Sequence, residues 1–168
     1  TGNGVVIHNG VDTKLFTPDG DKLPMVSDKE IYLYVAHSSN ENKRFEEARY
    51  IFNQKWRDNK NIELWLVGRF ENEQYNFDFL EDEKVRNFGV IEDRKELAKI
   101  YRSANYLLFP AFADSCPNTV LEARASGCKP ININPIGGSI ELIDEKLDIS
   151  LERMGNEYYN LFDLVLKT

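Results

Sequence analysis

Apolar residues along this chain fall into short runs separated by segments in which they recur every three or four positions. The runs Ile31–Ala36, Ile62–Val67, Val85–Ile91, Tyr106–Pro110 and Pro130–Ile133 predict strands. Helical spacing follows the first run from Arg44 to Trp56, with Phe45, Ala48, Ile51, Phe52 and Trp56 on one face. A second helix opens after Asp93, groups Leu97, Ile100 and Tyr101, and ends near Ala104; Glu96, three residues after the cap, completes a capping box. A third runs from Asn118 to Ser126 and is closed by Gly127, the residue that most readily takes a left-handed cap. After Gly137-Gly138 a helix begins at Ser139, and Tyr158–Leu166 forms a last one with Tyr158, Leu161, Phe162 and Val165 inward. The polar stretch Glu71–Lys84 reads as loop or a poor helix.

Strands separated by helices imply crossover connections and a parallel sheet covered on both faces. The expected fold is therefore α/β, a Rossmann-like open parallel sheet with helices on both faces, built as a single domain over residues 1–168. No internal repeat or low-complexity segment interrupts it. The chain opens without Met on Val5-Val6-Ile7-His8, a strand running into the turn signal Asn9-Gly10, so it is expected to be cut from a longer protein.

Composition narrows the possible partners. The 168 residues carry 21 Lys+Arg against 28 Asp+Glu, a formal charge of −7. That balance excludes a general nucleic-acid binder, which needs a basic face to displace counterions. No apolar run approaches the roughly 20 residues that span a bilayer, and no signal peptide is legible. Cys116 and Cys128, the two cysteines, lack CxxC or His spacing, which points to reduced thiols in a cytoplasmic protein rather than a disulfide or a metal site.

In open parallel sheets, ligands sit beyond the carboxyl ends of the strands. The loops there offer His37 and Lys43, Gly68 and Arg69, Glu92, then Asp114 to Asn118, and Gly137-Gly138. Helix N-terminal amides beside a lysine favour a phosphate or diphosphate, because the dipole and the charge both attract an anion. Asn118 and Ser139 open two such helices. Glu122, one turn inside the first, can accept paired hydrogen bonds from the vicinal hydroxyls of a ribose or a hexose.

The segment Asp114-Ser115-Cys116-Pro117-Asn118-Thr119-Val120-Leu121-Glu122-Ala123-Arg124-Ala125-Ser126-Gly127 resembles the carboxylate, seven residues, glutamate signature of retaining glycosyltransferases of the group 1 family. These enzymes have two Rossmann-like domains, the GT-B plan. The opening Ile7-His8-Asn9-Gly10-Val11-Asp12, with Phe16 and Pro18, is similar to the start of their C-terminal, donor-binding half. The resemblance continues through Lys43, Phe88-Gly89-Val90 and Gly137-Gly138 to Glu141.

It implies a site. Asp114 would face the transferred sugar, and Lys43, assisted by the amides of Asn118 and Thr119, would neutralise the departing diphosphate; these are the catalytic pair. Glu122 would hold the ribose hydroxyls, Gly89 to Glu92 would lie along the base, and Arg69 would approach base or phosphate. The implied donor-binding set is His37, Arg69, Val90, Ile91, Cys116, Asn118, Thr119 and Glu122. No metal and no cofactor are implied, the substrate being a nucleoside diphosphate sugar, UDP- or GDP-linked. The implied partner is an N-terminal acceptor domain in the same parent chain, which would also supply any membrane association. This chain alone would bind donor and turn over little.

Three positions depart from the family pattern. His37 stands where an Arg is usual, Asp114 where Glu is more common, and Pro117 where a glycine is expected. Each signal also has a plainer reading: Lys43 as an exposed helix-end charge, Asp114 as a turn former, Glu122 as a helix-surface carboxylate, and Arg69 as solvated surface. His8 reads as structural. Two other functions fit the same residues, a non-catalytic nucleotide-sugar-binding module and a sugar-nucleotide epimerase or phosphorylase of the same architecture.

Overall fold

The computed structural model describes residues 4–24, 28–38, 43–70, 84–111, 114, 116–132, 139–143 and 146–167. In chain order its elements are β1 (Glu30–Ser38), α1 (Phe45–Asp58), β2 (Ile62–Arg69), β3 (Val85–Asn87), α2 (Arg94–Ser103), β4 (Tyr106–Phe109), α3 (Asn118–Ala125), β5 (Lys129–Asn132), α4 (Ser139–Ile143) and α5 (Leu151–Leu166). The strands pair in parallel in the order β3-β2-β1-β4-β5. The α/β expectation is met, with a Rossmann-like sheet.

Alternation along the central strands builds two cores. Ile31, Leu33, Trp65 and Val67 point to one face, where they meet Ala98, Ile100 and Tyr101 of α2, Val120 and Leu121 of α3, and Leu142 of α4. Tyr32, Tyr34, Leu64 and Leu66 point to the other, against Phe45, Ala48 and Phe52 of α1. Because both faces are covered, the strands read as unbroken apolar runs, and this is why they were legible.

Strand order reverses at β1. The connection after β1 returns toward β2, while β4 pairs on its opposite side. The carboxyl ends of β1 and β4 therefore flank the crevice in which such sheets bind ligands.

Gly68, in β2, lies at φ +138°, and a Cβ there would sit 1.7 Å from the Ala36 carbonyl oxygen. Gly68→Ala is expected to lose at least about 3 kcal/mol, since backbone strain and a backbone clash add. Urea unfolding of the variant checks this; an unchanged midpoint would contradict the packing of β1 on β2.

Several expectations need correction. β3 stops at Asn87 rather than Ile91, because Gly89 takes φ +66° and the backbone leaves the extended region. Asp93 caps α2 through the Lys95 N–H, and Glu96 pairs with Lys99 at 3.5 Å. The last helix starts at Leu151 and buries none of its residues; Tyr158, Phe162 and Val165 are 42%, 60% and 60% exposed, and Leu161 is half-buried. The reason is that α5 is anchored by its first turn. Ser150 accepts from Arg153 N, Arg153 donates to the His8 and Asn9 carbonyls, and Met154 Sδ accepts from Gly10 N. Further along, Tyr158 and Phe162 stack on each other instead of on the core. The Glu71–Lys84 stretch, apart from Lys84, lies outside the described residues, as does Gly137-Gly138.

Candidate functional site

At the crevice, Lys43 follows β1 and Asp114 follows β4, and their side chains meet with Nζ 3.3 Å from Oδ2. Two residues separated by 71 positions are thus joined across the point where the sheet reverses. The Lys43 carbonyl accepts from the Tyr34 hydroxyl at 2.9 Å, which fixes the start of this segment to β1. His37 lies near the end of β1 and is exposed; Arg69 ends β2 and is exposed too.

Asp114 also accepts from the Cys116 N–H, at 3.3 Å, closing a short turn that leads to α3. Pro117 occupies the N-cap position, and no side chain caps this helix among the described residues. The first amides of α3, at Asn118 and Thr119, precede the earliest intrahelical donors and meet no acceptor among the described residues, which leaves them hydrogen-bonding capacity for an incoming group. The α4 helix is different. It spans five residues, scarcely more than one turn, so the anion site expected at Ser139 has no sustained dipole behind it.

The opening segment folds over this turn. Asn9 N–H donates to Cys116 Sγ at 3.2 Å, and Asn9 Nδ2 donates to Asn118 Oδ1 at 3.3 Å. The His8 ring pairs with Glu141 of α4, so its place is a polar contact between the opening segment and α4. Cys116 is half-buried and serves here as an acceptor.

Beside Asn118 lies a cavity of about 310 Å³, lined by Gly10, Val11, Asp12, Arg94, Asn118, Glu122 and Leu151. Glu122, from the second turn of α3, is buried at its floor. Oε1 accepts from Arg94 Nη2 at 3.1 Å and Oε2 from the Tyr101 hydroxyl at 3.3 Å. Burial pushes the Glu122 carboxyl up from its ordinary range, while the Arg94 charge and the Tyr101 hydrogen bond pull it back. Tyr101, fully buried, is held well above the usual phenol value by burial and by the Glu122 charge.

Val90 and Ile91 sit in the loop between β3 and α2, with Val90 exposed and Ile91 half-buried against the core. Gly68 N–H donates to the Gly89 carbonyl at 2.8 Å, which holds this loop against the end of β2 and directs it toward Arg94. Thr119 is half-buried in the first turn of α3.

The expected residues thus form two neighbouring groups joined by the Asp114–Asn118 turn. Lys43 and Asp114 make one, Asn118 and Glu122 the other; His37 and Arg69 stand exposed at strand ends and, among the described residues, bond to neither group. Sequence reasoning missed Arg94, Tyr101 and Asn9. Arg94 had a signal, a cation at the first position of a helix, where the dipole opposes it. Tyr101 read only as a core residue, and Asn9 only as a turn former.

Comparison with known proteins places these features in context. A family model described as Glycosyl transferases group 1 matches residues 29–155. No curated protein sequence matches the chain. Among solved structures, sucrose-phosphate synthase from Thermosynechococcus elongatus superposes with a TM-score of 0.72 at 18% identity, over 96% of this chain and 52% of that one. The lipopolysaccharide outer core galactosyltransferase WaaB, in its apo form, gives 0.57 at 19% identity, over 76% of this chain and 36% of the other. The C-terminal domain of a glycosyl transferase group 1 family protein (LpcC) from Francisella tularensis gives 0.55 at 16%, over 81% of this chain and 85% of that domain. The chain therefore spans about half of the synthase and about a third of WaaB, and at these identities the likeness is one of fold.

Proposed function

This chain belongs to the group 1 glycosyl transferases, and from that premise we propose that it is the donor-binding half of a retaining, metal-independent GT-B enzyme. It takes a nucleoside diphosphate sugar, UDP- or GDP-linked, and works with a further domain of the same parent chain that holds a hydroxyl acceptor. In the reaction the bond from the sugar C1 to the diphosphate oxygen breaks, the electron pair leaves with the diphosphate, C1 bonds to the acceptor oxygen, and the proton of the acceptor hydroxyl passes to the departing diphosphate. Charge therefore builds on the leaving group, and fixed positive groups aimed at it lower the barrier.

The observation that carries this reading is the Lys43–Asp114 contact across the strand-order reversal, beside the start of α3, which no side chain caps among the described residues. It brings a cation, a carboxylate and open amides to one place. The neighbouring Glu122 supplies a carboxylate suited to a ribose diol, and the Val90–Ile91 loop a surface for the base. The parent protein would work in the cytoplasm, with any contact to a membrane made by the other domain; among the described residues no helix is long and apolar enough to cross one.

Calorimetric titration of the chain with UDP, GDP, ADP and their sugar conjugates tests the proposal. Saturable binding of one nucleotide series is expected, with no sugar transfer by the chain alone. If none bound up to millimolar concentration, either to this chain or to the parent protein, the proposal would fail.

A further inference from the structure

The first turn of α2 carries a cation where a helix opposes one. The N-terminal end of a helix bears partial positive charge, so an arginine at its first position weakens the helix. Nothing in α2 requires it there, since Asp93 supplies the cap and Glu96 the favourable first-turn charge. Arg94 instead reaches outward from the helix to two groups. Its Nη2 lies 3.1 Å from Glu122 Oε1, and its Cζ lies 5.0 Å from the centre of the Phe16 ring.

Phe16 is fully buried and meets Tyr101 edge-on at 6.0 Å, while Tyr101 donates to the second Glu122 oxygen. Ring, guanidinium, phenol and carboxylate form one closed set with the cavity on its open side. The Arg94 side chain is nevertheless 58% exposed, so the residue can be changed without opening the core.

Resting on the donor-site reading above, we propose that Arg94 is the positioning residue for Glu122. It keeps the carboxylate ionised and turned to the cavity, where the vicinal diol of a ribonucleotide binds. Each carboxylate oxygen, after accepting from Arg94 or Tyr101, retains a second lone pair, so the set can receive two hydroxyl donors without giving up its own bonds. A protonated carboxyl lacks that capacity on one oxygen.

The groups facing Glu122 fix the sign of the pH effect. Arg94 and Tyr101 approach from α2, and Asp12 of the opening segment shares the cavity while accepting from the Lys14 and Leu15 amides of its own turn. Cys128, before β5, acts on Tyr101. Burial raises the Glu122 carboxyl and Arg94 is the first of the groups opposing it, so removal of Arg94 raises it further. Diol binding is then lost at a higher pH as the solution is acidified.

The test uses Arg94→Met and Arg94→Lys with two readouts. Carbon-13 NMR titration of the Glu122 carboxyl in the unliganded chain is expected to move to higher pH in Arg94→Met and to recover in Arg94→Lys. Calorimetry with the preferred nucleoside diphosphate is expected to show the ratio of affinities at pH 8 and pH 6 growing severalfold in Arg94→Met. The 2′-deoxy analogue, which lacks the diol, shows no growth. An unchanged carboxyl titration with normal nucleotide binding overturns the inference alone, and tighter binding by Arg94→Met overturns it by making Arg94 a competitor of the diol. A carboxyl shift in a chain that binds no nucleoside diphosphate overturns the donor reading and, with it, the ribose role.

Discussion

A ribonucleoside diphosphate is expected to bind Glu122→Ala about a hundredfold more weakly than the natural chain, a loss of about 2.7 kcal/mol. The magnitude follows from the bonds removed. A hydrogen bond to a charged group contributes about 1.5–3 kcal/mol, and a diol would make two to this carboxylate. Because Glu122 is already buried and held by Arg94 and Tyr101, little ordering is left to oppose those bonds when the ligand arrives. The variant is also expected to stop distinguishing ribose from 2′-deoxyribose. Calorimetry with the ribo and deoxy forms of the preferred nucleotide reads both effects. A variant that keeps the natural ribose preference would show that the diol sits elsewhere. Since Glu122→Ala leaves the buried Tyr101 hydroxyl short of a partner, at a cost of about 1–3 kcal/mol in stability, Glu122→Gln serves as the companion. It keeps the shape and one acceptor, and is expected to bind about tenfold more weakly than the natural chain.

What the sequence made legible follows from where each signal is local. The strands β1, β2 and β4 are short apolar runs buried on both faces, and each could be read from its own residues; β5, at the sheet edge, showed only its half-buried Pro130 and Ile131. The Asp93 cap and the Gly127 turn at φ +79° were equally local. The fate of α5 was not. Its apolar spacing is real, but periodicity says only that a helix has an apolar face, never what covers it; among the described residues Tyr158, Phe162 and Val165 remain exposed. The end of β3 depended on one glycine dihedral that the run of apolar letters concealed.

The candidate site divides in the same way. Lys43, Asp114 and Glu122 were recoverable because they belong to a spaced motif, and the Lys43–Asp114 contact then follows from strand order. Arg94 belongs to no spacing: its meaning comes from Glu122, 28 residues away, and from Phe16, which α2 brings beneath it. Asn9 likewise matters only through Cys116 and Asn118, more than 100 positions on. Such residues appear once the fold has juxtaposed them. The one hint in advance was a cation on the wrong end of a helix, a local rule broken with compensation elsewhere.

The second large effect is expected at Lys43, and it should scale with phosphate. Lys43→Ala is expected to weaken a nucleoside diphosphate about ten- to a hundredfold, as loss of one charge-assisted bond implies, while leaving the affinity for the bare nucleoside nearly unchanged. In the unliganded chain Lys43 lies 3.3 Å from Asp114 with both side chains partly exposed, and a pair so placed contributes only about 0–1 kcal/mol. A diphosphate, carrying more charge than one carboxylate, can therefore take the ammonium from Asp114 at small cost. The sign at the other partner is opposite: Asp114→Asn removes the competing charge and should hold or raise diphosphate affinity, while sugar transfer by the parent protein falls. For Lys43→Ala in that parent, the transfer rate is expected to drop by about 100- to 1,000-fold, the range seen when one donor to a developing oxyanion is removed. Titrations with nucleoside, monophosphate and diphosphate, beside a transfer assay, separate these effects. Equal weakening of all three ligands by Lys43→Ala would place the lysine away from the diphosphate, and weaker diphosphate binding by Asp114→Asn would show that the carboxylate positions Lys43 rather than competing for it.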